Sequence, residues 1–522
     1  MSLTDRTLEK KADVKNGIVR MMFVGIALIL EIILITGLAI SRLHLYAEWI
    51  AVVSRVVAVF LVLGIYSQYK TPSIKIPWII LILVIPVVGI LLYIMIGLSG
   101  ATRKMRRRFE EIDRELFPHL QQDEGVMDRL REEYPSCCGM SEYLLKQAGY
   151  PVYQDTKVEY YDNAMDGLEA QKQALREAKH FIFMEYFAIE DARAWNSVQT
   201  ILEEKVREGL DVRVFYDDIG SIGFINTDFV DRLQDKGIPC RVFNPVTPIV
   251  NLFLNNRDHR KMTIVDGRIG FTGGYNMADE YFNLTSPYGH WKDTGIRLEG
   301  KAVRSMTITF LEMWNAVRGD DWNDKVFESY LPEHNESAVR VGYIQPYSDN
   351  PMDKKQVGED LYISMINRAQ KYFYIMSPYL IITDEMSHAF CLAAKRGVDV
   401  RIITPGIPDK KIVFKMTRSY YSRLVRDGVR IFEYTPGFSH GKMCVSDDMA
   451  AICGTINLDY RSLYHHFEDG CLMIGCDAVI SIKNDFIDTF QLCEEVTEKY
   501  LPDRPVFMRF TQLILRLFAP LV

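Results

Sequence analysis

The chain has no CxxC pair, and its nine cysteines are an odd number spread through apolar stretches, with only Cys137 and Cys138 adjacent. This pattern argues against a disulfide framework and against a zinc ribbon. It leaves the cysteines as small buried hydrophobes in a reduced compartment. An excess of basic charge is also missing. The formal net charge is −7, and the later part of the chain has no stripe of Lys and Arg interleaved with aromatics, so no nucleic-acid partner is expected. The apolar segment nearest the amino terminus lacks a small-residue cleavage pattern, which argues against a removed signal peptide.

Long apolar runs are present instead, near the amino terminus. "MMFVGIALILEIILITGLAIS" (21–41) carries one charge, Glu31, and "IPWIILILVIPVVGILLYIMIGL" (76–98) carries none. Each reaches the roughly 20 residues a helix needs to cross hydrocarbon. Between them "WIAVVSRVVAVFLVLGIY" (49–66) is shorter and holds Arg55 near its centre, a costly residue at mid-membrane unless it snorkels or finds a partner. Pro86 is tolerable inside a membrane helix, where neighbouring groups take up the freed carbonyl. Residues 1–100 are therefore expected to form a membrane-embedded region of two or three transmembrane helices. Residues 101–139 form a basic juxtamembrane linker containing Arg103, Lys104, Arg106, Arg107 and Arg108. The positive-inside rule puts that linker and the chain beyond it on the cytoplasmic side of a multi-pass cell-membrane protein, and the cluster also suits anionic membrane lipids. Three spans would place the amino terminus outside, against five Lys or Arg in residues 1–20.

From about residue 140 the pattern becomes short apolar strands alternating with amphipathic helices. "HFIFMEYF", "WNSVQTILEEKVREGL" and "DVRVFYDDIGS" read as strand, helix and strand; "KYFYIMSPYLI", "MSHAFCLAAKRGV" and "DVRIITPG" repeat that order. An α/β body with a mostly parallel sheet covered by helices is expected. It consists of a first repeat over 140–335 and a second over 336–500. The segment 501–522, "RPVFMRFTQLILRLFAPLV" at its core, separates Arg509, Gln512 and Arg516 from Phe507, Phe510, Ile514, Leu517 and Phe518 as an amphipathic helix suited to a lipid interface.

The repetition is sharpest at "HRKMTIVD" (259–266) and "HGKMCVSD" (440–447). His259 and His440 are 181 residues apart, and so are Lys261 and Lys442, Asp266 and Asp447, Gly273 and Gly454, and Asn276 and Asn457. HxKxxxxD arises by chance about 0.03 times in a chain of this length and composition. Two copies in register indicate duplication of a whole unit.

His and Lys two apart on an extended strand project from one face. One unit supplies an imidazole and a cation; two facing units supply two imidazoles with cations between them. That set suits phosphoryl-type chemistry. One neutral His attacks phosphorus and the other, protonated, gives its proton to the leaving alcohol. Lys261 and Lys442, with Asn276 and Asn457, hold the non-bridging oxygens as charge develops. These cations make a metal or other cofactor unnecessary. Each His needs an acceptor on its second nitrogen. Asp293 and Glu468, 34 and 28 residues after His259 and His440, are the candidates in matching downstream positions. Within the catalytic motifs, Asp266 and Asp447 have the more structural part, bonding backbone or the neighbouring loop. His290, His465 and His466 have no counterparts in the other half and are at best lining residues.

The doubled HxKxxxxD, each followed by a Gly-rich turn and Asn, resembles the signature of the phospholipase D superfamily over roughly residues 140 to 500. Within it, "RDHRKMTIVDGRIGFTGGYNMADEY", "SHGKMCVSDDMAAICGTINLDYRSL", "EYF" (185–187), "YDDIGS" (216–221), "YKTPSIKIPW" and the terminal "APLV" resemble the bacterial cardiolipin synthases. The resemblance implies two phospholipase D-like α/β/α repeats packed as one catalytic body, preceded by transmembrane helices. It also implies transfer of a phosphatidyl group from one phosphatidylglycerol to another with release of glycerol, His259 acting as nucleophile and His440 as acid. The same residues would serve a lipid hydrolase that excludes water less well, and some members of the superfamily cut DNA, which the acidic charge and apolar segments disfavour. Gly441 stands where the first motif has Arg260, so the two sides of the pocket are not equivalent.

Overall fold

The computed structural model describes residues 47–68, 71–94, 100–246, 256–317, 327–333, 342–353, 355–501 and 516. The apolar segment 21–41 and, except for Leu501 and Arg516, the segment 501–522 lie outside the described residues.

In the apolar region, helix α1 (Ala47–Tyr66) is followed by α2 (Pro72–Val84) and α3 (Pro86–Leu92). The continuous third span expected over 76–98 does not form. Pro86 lacks an N–H, and Ile85 before it leaves the helical conformation, at φ −133° and ψ 75°. The chain then doubles back so tightly that a Cβ on Gly89 would come within 2.7 Å of Ile82 Cα. Thirteen residues of α2 cover only about 20 Å, short of the roughly 30 Å of hydrocarbon. Among the described residues, no helix is both long and apolar enough to cross a membrane. The three helices share a small core of Ala58, Ile65, Ile82 and Tyr93 and turn Trp49, Val52, Val56, Phe60 and Leu63 outward.

Helix α4 (Gly100–Leu116) carries the described part of the basic cluster. Two of its arginines face the protein: Arg106 donates to the Met352 carbonyl at 2.6 Å and Arg108 to the Asn315 carbonyl at 3.1 Å. Lys104 and Arg107 are exposed.

The first repeat contains β1 (Thr156–Tyr161), β2 (Phe181–Tyr186), β3 (Asp211–Asp217), β4 (Cys240–Phe243), β5 (Arg257–Asp258), β6 (Lys261–Val265), β7 (Ile269–Gly273), β8 (His290–Lys292) and β9 (Gly295–Gly300). The second contains β10 (Tyr343–Asp349), β11 (Tyr372–Met376), β12 (Asp399–Pro405), β13 (Arg430–Tyr434), β14 (Gly437–Ser439), β15 (Met443–Ser446), β16 (Ala450–Gly454), β17 (His466–Ile474) and β18 (Cys493–Glu495). One sheet has the order β1-β9-β7-β6-β2-β3-β4; the other runs β10-β17-β16-β15-β11-β12-β13-β18, the same order with β18 added. The duplication therefore extends to topology.

The sheets are mixed rather than mostly parallel. β2, β3 and β4 run parallel, but β6, β7, β9 and β1 join through antiparallel pairings. The cause lies inside the repeated motif. Asp266 and Gly267, like Asp447 and Asp448, take positive φ, which makes a short reversal between β6 and β7 and between β15 and β16 and so requires antiparallel neighbours.

The repeats clasp each other. Buried helix α5 (Val303–Val317) of the first lies against β10 of the second, and α6 (Asp477–Gln491) of the second lies against β1 of the first. Short strand β5 pairs with β17, and β14 pairs with β8, both across the divide. The cysteines are all free, eight of them buried.

Candidate active site

The histidines sit where these cross-repeat pairings end. His259 N–H donates to the Phe467 carbonyl at 2.9 Å, and His440 N–H to the Lys292 carbonyl at 2.7 Å. Each motif is thus hooked by its backbone to the opposite repeat, and both imidazoles are buried. Gly273 and Gly454 permit the approach: a Cβ on either would come within 2.4 Å of the Thr294 or Asp469 carbonyl oxygen respectively. The repeated glycine lets the carboxylate-bearing segments cross close beside the motif strands.

Those carboxylates are exchanged relative to expectation. Nδ1 of His259 lies 2.8 Å from Oε2 of Glu468, and Nδ1 of His440 lies 2.6 Å from Oδ2 of Asp293. The pairing of each His with the acceptor downstream in its own half is therefore corrected. The two units face one another, so β17 and the end of β8 each deliver a carboxylate across the interface.

Lys261 and Lys442 lie beside their histidines. Lys442 Nζ is 2.9 Å from Nε2 of His440, and Lys261 Nζ donates to the His259 carbonyl at 2.5 Å. Burial, reinforced by Lys261, His466, Lys442 and His440, pushes His259 well below the ordinary histidine range. His440 falls to about 4 through burial and Lys442, partly offset by Asp293. Burial lowers Lys261 to about 8 and Lys442 to about 7, while it raises Glu468 against the pull of Lys261. Burial thus favours the neutral form of both imidazoles.

Asp266 and Asp447 stand at the far end of the motif strands, about 16 Å along five residues. Asp266 accepts from the backbone N–H groups of Lys179, His180 and Phe181 at 2.7–2.9 Å; Asp447 accepts from Gln370, Lys371 and Tyr372 at 2.8–3.0 Å. They fix the start of β2 and β11 and do not reach the imidazoles. The asparagines differ. Asn276 is occupied, accepting from Ala188 N–H and donating to Tyr281 Oη, whereas Asn457 Oδ1 is buried without a hydrogen-bond partner.

Several residues of the site give little sign of themselves in the sequence. Fully buried Arg260 bridges Glu185, Glu312 and the Ser348 hydroxyl and lies 5.3 Å from the Phe467 ring. Arg257 pairs with Asp217 at 2.6 Å, equally buried. A single Glu inside the apolar run "FIFMEY" is the available signal. His466, at best a lining residue by sequence, has its ring centroid 5.4 Å from that of His259. Around His440 the neighbours are aromatic, with Trp291, Tyr281 and Phe438 within 6 Å. Among the described residues, ligand atoms of His259, His466 and Glu468 lie within 4.8 Å of one another, a set able to hold a cation, although the Lys261 and Lys442 ammonium groups oppose a dication there.

Residues 172–314 and 362–489 match the family model for the cardiolipin synthase, phospholipase D-like domain, and 56–97 match the phospholipase D-nuclease amino-terminal model. A cardiolipin synthase of Halalkalibacterium halodurans is 31% identical over 95% of this chain and 99% of its own. Another, of Alkalihalophilus pseudofirmus, is 30% identical over 94% and 98%. An uncharacterized Streptococcus mutans protein is 42% identical over 87% and 98%. The phosphatidylserine synthase of Haemophilus influenzae shares the fold, with a TM-score of 0.54 at 15% identity over 73% of this chain and 97% of its own. With its duplicated motifs facing each other across the repeat interface, the chain belongs to the bacterial cardiolipin synthases of the phospholipase D superfamily, enzymes of phosphatidyl transfer.

Proposed function

We propose that the protein makes cardiolipin from two molecules of phosphatidylglycerol through a phosphatidyl-histidine. The reading rests on one observation: the two motif histidines are buried together, each oriented by a carboxylate of the opposite repeat and each accompanied by its lysine. Nδ1–H of His259 faces Glu468, which leaves the Nε2 lone pair to attack phosphorus. The bond from phosphorus to the head-group glycerol breaks, and His440, protonated once the phosphodiester sits beside it, gives its proton to the departing oxygen. In the second half-reaction His440 removes a proton from a hydroxyl of the incoming phosphatidylglycerol. That oxygen displaces Nε2 of His259 from phosphorus and cardiolipin leaves. Lys261 and Lys442 neutralise the non-bridging oxygens, and Asn276 acts through the Ala188 loop.

The same proposal places the body at the cytoplasmic face of the cell membrane, attached by the apolar amino-terminal helices and in contact with anionic lipids. Their outward-facing Val, Phe and Leu side chains support this. So does their junction with the body, where Ile74 packs on its core and Ser73 lies beside Tyr460, three residues after Asn457. Arg516 lies in the same neighbourhood, donating to the Ser419 carbonyl at 2.8 Å and stacking 4.3 Å from Tyr420.

Purified full-length protein supplied with phosphatidylglycerol in detergent is expected to form cardiolipin and glycerol in equal amounts. Predominant phosphatidic acid would replace this reading with hydrolysis.

A further inference from the structure

One face of the second repeat has no part in the mechanism. The helix Lys411–Arg426 buries Val413, Met416, Tyr420 and Leu424, but Ile412 is 65% exposed, and Ile407 just before the helix is 40% exposed. Exposed isoleucines standing alone are ordinary; these are set among cations. Lys410, Lys411 and Lys415 are all exposed, and among the described residues Lys411 and Lys415 have no carboxylate or hydrogen-bond partner. The adjacent Asp409 is already engaged, accepting from the Tyr379 hydroxyl and from the Lys410 N–H, both at 2.6 Å.

The surroundings specify what covers this face. Ile412, Met416 and Tyr420 follow one another at four-residue steps and share one side of the helix. Tyr420 lies beside Tyr460, which meets Ser73 of α2. The side that runs into the junction with the apolar helices therefore emerges at Ile412, about 12 Å further along. At that end Lys410 Nζ lies 5.7 Å from the Tyr379 ring. Tyr379 in turn packs on the cluster that contains Tyr281, Trp291 and Phe438, the aromatic wall of His440. The face thus links the apolar helices to the side of the pocket where alcohols leave and enter. Isoleucines ringed by unpaired lysines complement an anionic bilayer, the apolar side chains entering the acyl boundary while the ammonium groups meet phosphates.

We propose that this face, Ile407 and Ile412 with Lys410, Lys411 and Lys415, docks on the anionic lipid surface and turns the His440 side of the pocket toward the bilayer. The proposal rests on the reading that α1 to α3 attach the protein to the membrane.

The test places a nitroxide on Ile412→Cys of the full-length protein in vesicles of phosphatidylglycerol and phosphatidylcholine. Collisions are measured with oxygen, which concentrates in hydrocarbon, and with a nickel chelate confined to water; unsubstituted protein treated alike gives the background of the half-buried Cys493. Oxygen is expected to dominate. A label reached mainly by the nickel chelate overturns the proposal, and so does one shielded from both, which means that protein covers the face. The double variant Lys411→Gln, Lys415→Gln is expected to lose about tenfold or more in kcat/KM on these vesicles, at about fivefold per lysine, and nothing on monomeric short-chain phosphatidylglycerol. Equal rates on vesicles overturn the anionic contact; thermal melts check folding. A protein that does not float with vesicles rejects the attachment reading and this face with it. One that floats but forms no cardiolipin rejects the proposed reaction, while the collisions still decide the face.

Discussion

Glu468 of the second repeat holds Nδ1 of His259 in the first, at 2.8 Å. Asp293 of the first returns the same service to His440. Each imidazole thus depends on the other repeat for its orientation and tautomer, and neither half contains a complete acid–base unit. Glu468→Gln and Asp293→Asn preserve shape while removing the charge that fixes Nδ1–H. Each is expected to lower kcat for phosphatidyl transfer by about a hundred-fold or more, with KM little changed. Steady-state kinetics check this; a fall of less than tenfold would separate the carboxylates from the chemistry.

The lysines give the pH dependence. Lys442 is lowered to about 7 and Lys261 to about 8, chiefly by burial. A lysine with a depressed pKa is charged below it and neutral above, so attraction for the anionic phosphodiester is lost as pH rises. kcat/KM, which reports the free enzyme, is expected to decline as pH passes from about 7 to 8. Lys442→Arg keeps its charge and moves that decline to higher pH, at a cost in rate. An unshifted profile would assign the limb to another group.

Arg260 is predicted to matter for stability. It is fully buried between Glu185 and Glu312, and its removal leaves both carboxyl groups without a cation. Arg260→Ala is expected to destabilise the folded body by about 3–5 kcal/mol, seen as a lower midpoint in urea unfolding. A loss under about 1 kcal/mol would mean that Glu185 and Glu312 are accommodated as neutral acids.

Much of this is legible in the sequence because duplication writes itself as a constant offset. The motif spacing locates His259, Lys261, His440 and Lys442, and the alternating strands and helices identify the fold. Register between the halves is not legible. An offset says that Asp293 and Glu468 are downstream of their histidines, but not that the units face each other and trade carboxylates. Tight reversals at Asp266 and Asp447 look like ordinary strand ends in a string of letters, so the antiparallel half of each sheet stays out of sight. His466 is hidden because nothing in the first half answers to it; its place beside His259 comes from the pairing of β17 with β5. In the apolar region, composition suggests a continuous helix over 76–98, while the missing N–H of Pro86 sets its real course.

The most direct test of the central claim is to trap the covalent intermediate. His440→Asn retains the proposed nucleophile and removes the acid. After brief exposure to phosphatidylglycerol and an alkaline denaturing quench, peptide mass spectrometry is expected to find the phosphatidyl group, or the glycerophosphoryl group left by its deacylation, on His259 and on no other residue. Its appearance on a different side chain, or its absence while cardiolipin still forms, would contradict the account.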